Sequence, residues 1–151
     1  MTHRNTARIT MSALAAVLAL AAALAPRAAH AQQSTTHTVR MVVEGGVPRF
    51  EPATLTIHPG DQVRFVNVSG GPHNVSFDGA TLPQGMDHLM ERAMPDQIQP
   101  LWGKLMVDPN ENYTISFAGA RPGRYPVFCV PHMYDRHGGT EMGMKGVIIV
   151  Q

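Results

Sequence analysis

The sequence predicts an all-β domain, a Greek-key β-sandwich with one short helix in the 84–94 region. About seven short segments are rich in β-branched or aromatic residues, and several alternate between polar and apolar side chains, as half-buried strands do. Gly, Pro, Asp and Asn separate these segments and indicate turns. A different pattern, with apolar residues at helical spacing, follows Pro83. We therefore expect an antiparallel sandwich that carries a single helical insertion.

The first half of the chain has four strand signals, divided by turns that contain Gly or Pro. They are Thr38–Glu44, Phe50–His58, Gln62–Val68 and Val75–Phe77. The third segment alternates so regularly that Val63, Phe65 and Asn67 are expected on one face of a half-buried strand. The loop Ser69–Pro72 follows this strand and ends next to His73. A histidine at the end of such a loop can face a metal without giving up a core position.

The second half begins with the helical segment and then returns to strand signals. Gln84–Met94 carries helix formers with apolar residues at helical spacing, between Pro83 and Pro95. Asp96–Lys104 is irregular, and Trp102 is expected to anchor it. Three further strands are predicted, at Asn112–Phe117, Gly123–Cys129 and Gly146–Val150.

The N-terminal 31 residues are predicted to be a cleaved signal peptide. Arg4 and Arg8 precede an uncharged stretch rich in Ala and Leu, and Ala29-His30-Ala31 fits a cleavage site before Gln32. The apolar core is shorter than the roughly 20 residues of a membrane-spanning helix. We expect residues 32–151 to form one exported domain of 120 residues, periplasmic or otherwise extracytoplasmic, monomeric and without an integral membrane span.

The charge of the mature domain argues against a nucleic-acid partner. The full chain has 12 Lys and Arg against 11 Asp and Glu. Loss of residues 1–31 removes Arg4, Arg8 and Arg27 and leaves nine basic residues against the same 11 acidic ones, a formal charge of −2. A weakly acidic surface has no strong nonspecific attraction to nucleic acid.

The chain has one cysteine, Cys129, with His132 three positions later and Met144 ahead of the last strand. A single cysteine cannot form an internal disulfide, so an exported thiol is a liability, an intermolecular link or a metal ligand. A second histidine is best supplied by His73. Two His and one Cys could hold zinc, whereas a distant thioether as fourth ligand favours copper in a blue-copper site.

The segment Pro52–Gln151 resembles the plastocyanin and pseudoazurin branch of the cupredoxins. The resemblance rests on the stretches 55–61, 65–68, 71–75, 112–114 and 123–125, on Cys129-Val130-Pro131-His132, and on Met142-Gly143-Met144-Lys145-Gly146. It implies a cupredoxin fold and a type 1 copper site. His73, Cys129 and His132 would be the strong trigonal ligands, with a Met as the long axial one. It further implies that Asn74 ties the two ligand loops together and that His132 reaches the surface.

The axial ligand is less determined than the other three. The order Met-Lys-Gly before the last strand matches the resemblance and favours Met144 over Met142. This chain departs from the family it resembles in having eleven residues, 133–143, between His132 and Met144, a much longer segment than is usual there. His137 and Glu141 lie in it, and either could in principle replace the thioether.

This ligand set predicts a soluble exported electron carrier that shuttles one electron at a time between redox proteins through a mononuclear copper site that cycles between Cu(I) and Cu(II), not an enzyme. Transient redox partners are expected to dock near His132. Copper storage or delivery is the alternative, suggested by Met86, Met90, Met94 and Met106, although their spacing is also that of core residues. A small copper oxidoreductase is a further alternative. It would need a second site, and the remaining histidines, His37, His58, His88 and His137, are not paired at ligand spacing.

Overall fold

The structure is a computed structural model that describes residues 33–133 and 143–151. Seven strands in these ranges form two packed sheets, which confirms the all-β sandwich prediction. They are β1 (Thr36–Glu44), β2 (Val47–Glu51), β3 (Thr54–Ile57), β4 (Gln62–Asn67), β5 (Asn112–Ser116), β6 (Gly123–Phe128) and β7 (Lys145–Val150). The strand orders are β2-β1-β4-β5 and β3-β7-β6. The predicted signal peptide at 1–31 lies outside the described residues.

The sandwich was predicted to be antiparallel, but two of the five strand pairings among its described residues are parallel. β1 pairs with β4 in parallel, and β3 pairs with β7 in parallel, while the other three pairings are antiparallel. The predicted strand Phe50–His58 is divided between the two sheets, because Pro52 has no N–H to donate to a strand ladder. The chain crosses to the second sheet as β3 and returns as β4 beside β1. An alternating pattern shows which face of a strand is buried but not which neighbour the strand will have.

The single α-helix of the described residues, α1 (Asp87–Ala93), lies within the predicted 84–94 region. Asp87 in its first turn and Arg92 in its last turn have the charges that the helix dipole favours at each end. The four methionines that suggested copper storage are all buried. Met90 lies in the helix, Met86 and Met94 flank it, and Met106 lies further along the chain. Their burial supports packing as the reason for the helical spacing of these methionines. The described helices are too short to cross a lipid bilayer.

β4 is an interior strand of the larger sheet, between β1 and β5. Its inward side chains are those predicted from alternation, since Val63, Phe65 and Asn67 are all buried. At the start of β4 the carboxylate of Asp61 accepts N–H bonds from Thr35 (2.9 Å) and His58 (3.0 Å). Its Oδ2 also lies 2.9 Å from Nε2 of His37. These hydrogen bonds, that of Thr35 foremost, lower the pKa of Asp61 to about 2.

Candidate metal centre

Three side chains converge at the end of the sandwich where β4 and β6 finish. Sγ of Cys129 lies 3.7 Å from Nδ1 of His73 and 3.4 Å from Nδ1 of His132, and each of the three ligand atoms is within 4.8 Å of the others. The two imidazole rings are 4.7 Å apart between centroids. The structure therefore brings together the Cys and the two His that the sequence selected, from positions 56 and 59 residues apart.

His73 is held from the backbone as part of a short antiparallel bridge. Its N–H donates to the carbonyl of Met106 (2.9 Å), and the N–H of Met106 donates to the carbonyl of His73 (2.8 Å). The side chain is fully buried, and among the described residues Nε2 has no hydrogen-bond partner. Packing and the backbone bridge hold this ring, with Nδ1 facing the thiol.

Cys129 follows β6 directly and caps a single 3-10 turn, Val130–His132. The turn closes with a bond from the His132 N–H to the Cys129 carbonyl (3.0 Å). Pro131 sits inside it, and its fixed φ suits a tight first turn. The short turn lets both side chains face one point, while Cys129 is buried and His132 is partly exposed.

Met144 lies directly before β7 and is buried at 1 % exposure. Its carbonyl accepts the N–H of Cys129 (3.0 Å), and its own N–H donates to the carbonyl of His132 (3.2 Å). The backbone of Met144 is thus hydrogen-bonded to both residues of the ligand turn. The competing candidates for the axial position, Met142, His137 and Glu141, lie outside the described residues.

Asn74 joins the two ligand-bearing segments, as the family resemblance implies. Its Oδ1 accepts the N–H of Val130 (2.8 Å), and its own N–H points to Sγ of Cys129 (3.4 Å). The amide group also donates to the carbonyl of Gly103 (3.4 Å). One buried side chain therefore fixes the separation of the His73 loop and the Cys129 turn.

The electrostatics of the metal-free site favour neutral ligands. Burial, with a smaller contribution from His132, lowers the pKa of His73 to about 4. Burial raises the pKa of the Cys129 thiol to about 11, against the N–H groups of Asn74 and His132, which lower it. His73 is thus a neutral imidazole near pH 7, ready to bind a cation. The thiol must lose its proton to become a ligand, so metal binding releases a proton.

The spacing and chemistry of these donors fit a metal ion. With metal–nitrogen and metal–sulfur bonds of about 2.0 and 2.3 Å at angles near 110–120°, nitrogen and sulfur donors lie about 3.5–3.7 Å apart. The observed separations of 3.4 and 3.7 Å are close to this. Two imidazoles and a thiolate, with a buried thioether residue adjacent, match copper better than a hard cation.

Three residues that support the site were not identified from the sequence, namely Asn67, Gly103 and Met106. Gly103 has no room for a side chain, since an added Cβ would lie 2.7 Å from the ring of Tyr113 and 2.9 Å from the carbonyl oxygen of Val75. The close approach lets its carbonyl reach Asn74. A polar residue at an inward position of β4 was the available signal for Asn67, whereas nothing local in the sequence marks Gly103 or Met106.

Comparison with known proteins also indicates a copper-binding protein. A model of the plastocyanin/azurin family of copper binding proteins matches residues 37–151. The chain is 35% identical over 144 residues to the chloroplastic plastocyanin of Chlamydomonas reinhardtii, covering 95% of this chain and 82% of that one. It is 34% identical over 117 residues to a plastocyanin of Nostoc punctiforme, covering 77% and 74%.

Solved structures of a pseudoazurin and a plastocyanin have a similar fold. A pseudoazurin from Sinorhizobium meliloti superposes with a TM-score of 0.54 at 29% identity, covering 78% of this chain and 74% of that one. Oxidised plastocyanin from Dryopteris crassirhizoma gives a TM-score of 0.57 at 25% identity, covering 76% and 100%. The matching family is one of copper-binding proteins, and these solved structures share the fold described here.

Proposed function

Because the chain belongs to the plastocyanin/azurin family of copper-binding proteins, with one copper ion as its cofactor, we propose that it is an exported carrier that shuttles single electrons between redox proteins. The observation that carries this proposal is the triad of His73, Cys129 and His132, in which two ligands are buried and His132 is partly exposed. Copper bound there supplies a one-electron couple between Cu(I) and Cu(II). We assign the chain no enzymatic activity.

The proposed ligands are His73, Cys129, His132 and Met144. Support for Met144 comes from its burial and from its backbone bonds to Cys129 and His132, which keep it beside the triad. A buried, hydrogen-bonded set of donors resists rearrangement when the charge of the site changes, and small rearrangement favours fast electron transfer. The N–H of Asn74 near Sγ stabilises negative charge on the sulfur, which is one of the ways a protein sets the potential of such a site.

Transient partners are proposed to dock around His132. Gly71, Pro72 and Pro131 are exposed near it in the two ligand loops, and none of them carries a charge. An uncharged, rigid rim favours brief contacts, because there are few long side chains to immobilise and no ion pairs to break on release. We propose a monomer that offers this rim to donor and acceptor in turn.

Export is proposed from the sequence of residues 1–31, with 32–151 as the single mature domain. The N-terminal Arg4 and Arg8, the apolar stretch and the Ala29-His30-Ala31 site support this. The predicted location is the periplasm or another extracytoplasmic compartment. Mass spectrometry of the protein secreted by its host cell tests the proposal, since an N-terminus other than Gln32 would place the boundary elsewhere.

Copper stoichiometry together with visible and paramagnetic resonance spectra tests the carrier proposal. We expect one copper per chain, an intense thiolate-to-copper absorption band, and rapid reduction and reoxidation by small redox proteins. Two or more coppers per chain would instead support storage or delivery, and turnover of a substrate would support an oxidoreductase. A colourless protein that retains zinc in preference to copper would contradict the carrier proposal outright.

The axial assignment has its own pair of variants. Met144→Gln replaces a thioether by a harder oxygen donor, so we expect a shifted absorption band and a lower reduction potential. His137→Ala is the matched variant, in the sequence between His132 and Met144, and should leave both the absorption band and the potential unchanged. If His137→Ala changes the spectrum and Met144→Gln does not, Met144 is not the axial ligand.

A further inference from the structure

Asn67 is the last residue of β4 and is fully buried, although the inward positions before it, Val63 and Phe65, are apolar. Its side-chain Oδ1 accepts the N–H of Gly70 (3.0 Å). Its amide nitrogen donates to the carbonyl of Gly71 (3.0 Å) and lies 3.4 Å from the carbonyl of Met106. Burying an amide is unfavourable unless its polar atoms are paired, and this one is paired at both ends.

We propose that Asn67 is a positioning residue of the metal centre, which holds the 69–72 loop in the shape that presents His73 to Cys129. Among the described residues its side-chain hydrogen bonds go to Gly70, Gly71 and Met106, and not to any of the four proposed ligands. Its effect passes through the loop and through Met106.

The loop has little structure of its own. Gly70 and Gly71 both adopt positive φ, at 73° and 87°, a region that is readily available to glycine and that does not constrain it. Two successive flexible residues would leave many loop conformations open to the chain ahead of His73. The Asn67 side chain bonds to one glycine through its oxygen and to the other through its nitrogen, which selects one conformation among them.

Met106 provides the link to the ligand. Its carbonyl accepts the N–H of His73 at 2.9 Å and the Asn67 side-chain amide at 3.4 Å. The same oxygen therefore bonds both the side chain that holds the loop and the backbone of the ligand His73. The Gly71 N–H donates to the carbonyl of Val107 (2.9 Å), which ties the loop to the next residue of the same segment. The backbone of Asn67 is also bonded to this region, through Asn110 (2.7 Å) and Glu111 (2.9 Å).

The Asn67 carboxamide accepts from one glycine and donates to the other, so a test variant should remove both functions. Asn67→Leu has a similar volume but no polar atoms, so it leaves the Gly70 N–H and the Gly71 carbonyl without their partners. Asn67→Ser is smaller and keeps one hydroxyl, and it serves as the milder variant if Asn67→Leu does not fold. Tyr125→Phe is the matched control, because it removes another buried side chain's bond to a carbonyl, that of Arg121 (2.8 Å), away from the loop.

The first measurement is amide hydrogen exchange in the metal-free full chain. In an Asn67 variant we expect the amides of Gly70, Gly71 and His73 to exchange at least about tenfold faster relative to those of Val63 and Phe65. In Tyr125→Phe this ratio should stay at its wild-type value even where overall stability falls.

The second measurement is made on the copper-loaded protein. We expect an Asn67 variant to shift or broaden the thiolate-to-copper absorption band and to alter the copper hyperfine splitting, and Tyr125→Phe to change neither. If an Asn67 variant has lost stability but matches the control in either readout, Asn67 is only a structural residue and the proposal is overturned. Neither readout uses a redox partner, so this result would leave the proposed carrier function untouched.

Discussion

The two segments that bring histidines to the metal centre are built differently. The 69–74 segment is bonded on both sides, by Asn67 before it and by Met106 beside it, and its His73 is fully buried. The 129–133 segment is a single 3-10 turn with Pro131 exposed and His132 partly exposed. The 69–74 segment, the fixed side of the centre, holds His73 in place. The 129–133 segment, the access side, leaves His132 partly open to solvent.

Because of this difference, the geometry of the metal centre and its access from solvent depend on different segments. The position of His73 depends on residues 6 and 33 positions away, at the end of β4 and at Met106. The position of His132 depends on a local turn that begins three residues earlier, to which Asn74 and Met144 are hydrogen-bonded. Changes on the first side should therefore damage the geometry of the centre, while changes on the second should mainly affect what can enter it.

The largest expected effect comes from removing each imidazole in turn. His132→Gly opens a gap at the partly exposed side, so added free imidazole should enter it and restore most of the visible absorption band. His73→Gly leaves a gap in the buried core, which imidazole from solution cannot reach without local unfolding, so we expect loss of the band with no recovery. Titration of imidazole into each copper-loaded variant, followed by visible absorption, measures this. Equal recovery in both variants would show that the two sides do not differ in access.

A smaller effect is expected from cutting the link between the two sides. Asn74→Ala removes the acceptor of the Val130 N–H and should lower the free energy of unfolding by about 1–3 kcal/mol. The absorption band should shift as well, because the N–H of Asn74 faces Sγ and the backbone would relax. Urea unfolding of the metal-free protein and the visible spectrum measure the two effects. Asn112→Ala, at an exposed position of β5, is the control and should change neither.

The smallest effect on the centre is expected at Asp61, at the opposite end of β4. Asp61→Asn should lower the free energy of unfolding by about 1–2 kcal/mol at neutral pH, because it removes the charge that the N–H groups of Thr35 and His58 stabilise. The absorption band should not move.

The pH dependence gives this prediction its sign. The pKa of Asp61 is about 2 in the folded protein and near 3.8 ordinarily, so its stabilisation is complete above about pH 4 and is lost as pH falls toward 2. Wild type and Asp61→Asn should therefore converge in stability in that window, as measured by urea unfolding of the metal-free protein. A constant difference between them down to pH 2 would show that the carboxylate charge is not the cause.

The sequence predicted the access side of the centre more completely than the fixed side. Cys129 and His132 are three residues apart with Pro131 between them, and a local turn of this kind can be read directly. The buried face of β4 and the α1 region followed from periodicity. The crossing of the chain at Pro52, the parallel pairs, and the contacts of Met106 and Gly103 were not predicted, because they depend on which distant segments become neighbours. The boundary at Gln32 and the alternatives Met142, His137 and Glu141 stay predictions.

The place of β7 in its sheet bears on the order of events in folding. β7 lies between β3 and β6 although it follows both in the chain, and Met144 just before it bonds the backbone of Cys129. The two outer strands of this sheet therefore cannot be joined until β7 is in place. Until then the cysteine lacks its backbone bond to Met144 and the burial of the folded chain, so its thiol is open to oxidation. Copper is accordingly expected to be retained only after β7 has paired with both neighbours.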